Sequence, residues 1–91
     1  MPGELAKQLL RVVDEARPLV NHADIRLAGT ARWALSCAAQ ALYEVEEHAE
    51  QRSFGDLAGM LRDVYVASNV MYELEREVEK TAEKEAEIGR E

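Results

Sequence analysis

The chain has 91 residues, 18 acidic and 11 basic, for a formal net charge of −7, and its one cysteine, Cys37, excludes an intrachain disulfide. Phosphate backbones demand clustered lysine and arginine, so this acidity argues against direct binding of DNA or RNA. No apolar run approaches the ~20 residues of a membrane span and no charged-then-apolar leader is visible, which points to a soluble, cytoplasmic protein without a membrane association.

At this length the sequence predicts one domain, 1–91. Five glycines, two prolines and few aromatics suit helices far better than strands, so the expected class is all-α. The first helix is expected over about 3–17. Pro2 fits a first helical turn, Glu4 complements the N-terminal dipole, and Leu5, Leu9, Val12, Val13 and Ala16 recur at helical spacing. Pro18 has no N–H to donate, which ends or kinks the helix before it.

The second helix is expected over about 24–52, capped by Asn21 or Asp24. Leu27, Ala31, Leu35, Ala38, Leu42, Val45 and Ala49 alternate steps of three and four, a heptad-like seam. Its alanines let a neighbouring helix approach closely. Gly29 weakens the helix locally by about 1 kcal/mol against alanine, which allows a later start at Thr30.

Arg52-Ser-Phe-Gly-Asp56 reads as a turn, with Ser53 or Asp56 as cap and Gly55 free to take a positive φ. The third helix is expected over about 56–86, its stripe being Leu57, Leu61, Val64, Met71, Leu74 and Val78, with Ala67 and Ser68 at the small position. Residues 73–91 hold eight acids and four bases, with like charges at many i,i+4 pairs such as Glu73–Glu77 and Lys80–Lys84. The last ten residues are therefore expected to fray without a partner.

The resulting architecture is a short helix against a long antiparallel hairpin about 40 Å long. The short helix cannot cover the hairpin, and uncovered apolar surface marks an association site. A C2 homodimer completing a four- or six-helix bundle is the expected assembly. Trp33, Leu35, Leu42, Tyr65, Met71 and Tyr72 are the candidate interface residues, and Asn69 is a candidate register-setting polar residue.

Residues 41–51, ALYEVEEHAEQ, concentrate four glutamates and one histidine. Their simplest reading is a solvated helix flank. The alternative is a divalent-metal site. Glu44 and Glu47 lie at i,i+3, His48 at i,i+4 from Glu44, and Asp63 at a matching height across the hairpin. Carboxylates suit Mg²⁺ or Mn²⁺, and His48 as an added ligand would favour zinc or iron.

The segment from Leu42 to Glu50, followed by Gly55-Asp-Leu-Ala-Gly-Met-Leu-Arg-Asp63, resembles the all-α nucleoside triphosphate pyrophosphohydrolases of the MazG type. That resemblance implies Mg²⁺-dependent hydrolysis, with Glu44, Glu47 and Asp63 among the ligands. Met60 occupies the position of the family's remaining acid. No glycine-rich phosphate loop, Cys-x-x-Cys pair or Ser–His–Asp grouping can be assembled, so an enzyme is not the first expectation. The leading expectation is a small acidic bundle acting through protein–protein binding and self-association, such as an inhibitor, antitoxin or adaptor, with no cofactor. Mg²⁺ or Mn²⁺ enters only with the hydrolase reading.

Overall fold

The computed structural model describes residues 2–48 and 54–90, all in helices, turns and one short connection. Helix α1 spans Pro2–Ala16, α2 spans Ile25–His48 and α3 spans Phe54–Arg90. No strand occurs among the described residues, as the composition predicts.

Local chemistry explains the first two boundaries. Helix α1 ends at Ala16, where Arg17–Leu19 tightens into a 3-10 turn with Pro18 at its start. Proline is tolerated there because a first-turn N–H has no intrahelical acceptor. His22 Nδ1 accepts from Asp24 N at 3.0 Å, shaping the connection. Asp24 then caps α2, its Oδ1 accepting from Arg26 N at 3.0 Å and Leu27 N at 3.2 Å. The Leu27 N–H bond holds the Asp24 carboxyl below its ordinary range, helped by Arg26.

The cap sets the start of α2 at Ile25, and Gly29 lies inside the helix. The later start at Thr30 is therefore not used. Thr30 Oγ1 instead donates back to Arg26 O and Leu27 O, both at 3.1 Å. Arg32 Nε donates to Val20 O at 3.0 Å and fastens the connection to α2.

Helix α3 differs from expectation at both ends. It begins at Phe54, so Gly55 and Asp56 lie in its first turn, and no described glycine has a positive φ. Ser53 and the end of the second predicted helix, 49–52, lie outside the described residues. At the other end the helix continues to Arg90, past the predicted end near 86. Ala82, Ala86 and the intervening glutamates and lysines are strong helix formers, and their propensity outweighs like-charge pairs of a few tenths of a kcal/mol. Residues 81–89 are exposed throughout.

Helix α2 is the centre of the structure. Leu9 and Val13 of α1 pack with Ala38, Ala41 and Val45 of α2 and Val64 of α3. Ala16 packs with Leu27, Ala31 and Ala34 and with Ala67 and Met71. Each cluster orders α1 and α3 oppositely to α2, so α1 and α3 run parallel. Both lean on α2; their backbones stay apart, while their side chains meet in the two clusters. The molecule is a rod with extents of 60 × 19 × 18 Å.

Five alanines, Ala28, Ala31, Ala34, Ala38 and Ala41, are buried along α2. With no side chain beyond Cβ they let two helices seat against it at once. Leu35 and Leu42, which the heptad reading placed on the seam, are only half-buried at its margins. Met71, expected at a subunit interface, is fully enclosed in the subunit's own core at 0% exposure. Its unbranched side chain fills the space opposite the small alanines.

Candidate functional site

Because the backbones of α1 and α3 stay apart while both lean on α2, a groove opens between them. Its walls are Leu5, Leu9 and Val12 from α1 and Leu61, Val64 and Tyr65 from α3, enclosing about 540 Å³. Leu9 and Val64 form its buried floor, Leu5, Val12 and Leu61 are half-buried, and Tyr65 stands 69% exposed at the rim. Gln8, Arg62 and Ser68 are the polar lining residues. Ser68 Oγ donates to Tyr65 O at 3.1 Å, so its hydroxyl needs no ligand. The Tyr72 hydroxyl donates to Glu15 Oε2, bridging α3 to α1.

The proposed metal ligands do not assemble. Among the described residues no three His, Cys, Asp or Glu side chains come together in a way that could hold a metal ion. The physical reason is rotation about α2. Glu44 points inward and is buried at 7% exposure, whereas Glu47 is exposed. Its burial also overturns Glu44 as part of a solvated flank; Glu46 and Glu47 do lie in solvent. His48 Nε2 sits 3.2 Å from the Tyr43 hydroxyl, and the two rings meet edge-on at 5.1 Å between centroids.

Asp63 lies on the far side of α3 from the groove, lining a smaller hollow of about 240 Å³ with Cys37, Gln40, Ala41 and Met60. Met60, where the pyrophosphohydrolase pattern has an acid, thus faces α2 beside a thiol. Burial pushes the Cys37 thiol up from its ordinary range, and the charge of Asp63 adds to this, while a hydrogen bond from Trp33 opposes it. The hollow favours a protonated, weakly nucleophilic thiol.

The candidate interface residues separate into three environments. Tyr65 is on the groove. Trp33, 44% exposed, lies beside Cys37 on another face. Leu35, Leu42, Met71 and the ring of Tyr72 belong to or border the subunit's own core. Leu5, Leu9, Val12 and Leu61 were legible only as core stripe. Their additional role as groove walls needs the relative placement of two helices distant in sequence. Among the described residues no helix is long and apolar enough to cross a membrane. Comparison of the chain with protein-family models, with curated proteins and with solved structures gave no match.

Proposed function

We propose that this protein acts by binding protein, itself included, and that the groove between α1 and α3 is the binding surface. It would serve as an inhibitor, antitoxin or adaptor does, by occupying or bridging partners. The single observation that carries this reading is the groove itself: a trough of about 540 Å³ with mainly apolar walls, whose one polar group in the floor region, Ser68, is already hydrogen-bonded within the chain. An amphipathic helix laid in such a trough removes apolar surface from water at about 25 cal/mol per Å². Small ligands that need charge recognition would find Arg62 as the charged lining residue and little else.

Sedimentation velocity over a micromolar concentration series tests the self-association half. A mass above that of one chain, rising with concentration, is expected. A single-chain mass throughout removes self-association from the reading.

A further inference from the structure

We infer that the connection between α1 and α2 is a proton-sensitive turn, held closed by the neutral ring of His22 and released when that ring takes up a proton. His22 Nδ1 is the acceptor of a hydrogen bond whose donor is Asp24 N, at 3.0 Å. Nδ1 accepts only while it carries no hydrogen. In an imidazolium both ring nitrogens are donors, so the protonated ring turns an N–H toward the Asp24 N–H. The two states of this side chain differ by one acceptor at one place. Histidine is also the residue whose charge ordinarily changes between pH 8 and pH 5.

The bond sits among the contacts that fix the chain reversal. His22 N donates to Leu19 O at 3.0 Å, and Arg32 Nε donates to Val20 O at 3.0 Å. Asp24 caps α2 through Arg26 N and Leu27 N. The imidazole thus holds the backbone of the residue whose carboxylate holds the helix. His22 and Asp24 are both half-buried, so water replaces a lost acceptor less freely here than in an open loop. The surrounding charges leave the effect in place. The Asp24 carboxylate is the neighbouring group that would attract an imidazolium, and both its oxygens are engaged, Oδ1 with two backbone N–H groups and Oδ2 with Arg26 at 3.5 Å. Swinging it onto the ring uncaps α2. Arg26 is itself a cation, and Arg32 brings a second one to the connection. From α3, Glu85 lines the hollow of about 240 Å³ that Asp24 and Arg26 share with Val78, Thr81 and Ala82. These four groups carry no net charge between them. The folded chain holds the neutral ring, so the contribution of the bond is complete at pH 8 and is lost as pH falls through the titration of the ring.

His22→Asn is the test, because an asparagine side chain accepts from the backbone two residues on and does not titrate. NMR of the ¹⁵N-labelled chain, from pH 8 downward, follows the His22 ring nitrogens and the hydrogen exchange of the Asp24 amide, corrected for the intrinsic rate at each pH. At pH 8 the wild-type Nδ1 is expected to show the shift of a nitrogen without hydrogen. As the ring gains its proton, protection of the Asp24 amide is expected to fall about fivefold, the equivalent of one neutral hydrogen bond. In His22→Asn it is expected to stay constant over the same range. His48, the other histidine, is present in both chains, so the difference belongs to His22. Circular dichroism verifies that the variant folds, and the ring shift of the wild-type chain needs no variant. A hydrogen on Nδ1 at pH 8 overturns the inference, as does protection that falls equally in both chains or in neither.

Discussion

The hydroxyl of Tyr72 donates a hydrogen bond to the carboxylate of Glu15, tying α3 to α1 across 57 positions of chain. Burial, then the bond to Glu15 and that residue's negative charge, push the Tyr72 hydroxyl from 10.0 up to about 12. A group whose proton is held more tightly in the folded chain stabilises the fold fully below its unfolded pKa. That contribution is present below pH 10 and is lost as pH rises toward 12. Urea midpoints measured at pH 8 and pH 11 are expected to fall less for Tyr72→Phe than for wild type over this interval. An identical fall in both would show that the bond does not form in solution.

Two helical glycines offer a gain in stability. Gly29 and Gly59 are exposed, and a Cβ built on either meets nothing within 4 Å. Neither has a positive φ that alanine would resist. Gly29→Ala and Gly59→Ala are each expected to add about 0.5–1 kcal/mol by reducing the freedom of the unfolded chain. In a domain of this size that raises Tm by about 4–8 °C per kcal/mol. A lowered Tm for Gly59→Ala would reveal a close neighbour on that face of α3.

The alanine seam and Met71 are matched in size, so errors in either direction cost stability. Met71→Ala leaves a cavity against Ala31 and Ala34 and is expected to cost about 2–5 kcal/mol. Ala38→Leu forces extra volume between helices at a fully buried site, at a cost of about 1–3 kcal/mol. Chemical denaturation of both variants measures this. A neutral Ala38→Leu would mean that α1 can lift from α2 without penalty.

Cys37 is expected to alkylate slowly near neutral pH, because burial and the Asp63 charge both favour the protonated thiol. Asp63→Asn removes one of these causes and is expected to speed labelling. Trp33→Phe removes the opposing hydrogen bond and is expected to slow it. Iodoacetamide labelling followed by mass spectrometry gives both rates, and a faster reaction in Trp33→Phe would reverse the assignment.

Millimolar Mg²⁺ or Mn²⁺ is expected to leave Tm unchanged, since Glu44, Glu47 and Asp63 do not converge. An ion bound to the folded chain at a hundred times its Kd would add about 2.7 kcal/mol. A rise of that order, absent in Glu47→Ala, would restore the metal site.

What the sequence determined by itself was local. Pro18 and Asp24 end one helix and begin the next through groups within a few residues of the boundary. The stripes Leu5–Leu9–Val13 and Val64–Met71 mark core faces because helical periodicity places them on one side. The heptad reading of α2 fell short where a second neighbour mattered. A single seam predicts Leu35 and Leu42 inside, whereas packing against two helices buries Ala34, Ala41 and Glu44 as well.

Only the tertiary structure decided that α1 and α3 run parallel on α2 with a gap between them. Periodicity states which face of a helix avoids water and is silent on which helix covers it. For the same reason Glu44 and Glu47, adjacent on a helical wheel, diverged once the rotation of α2 was set by its alanines. The groove is a property of three rods packed together, and none of the rods carries it alone.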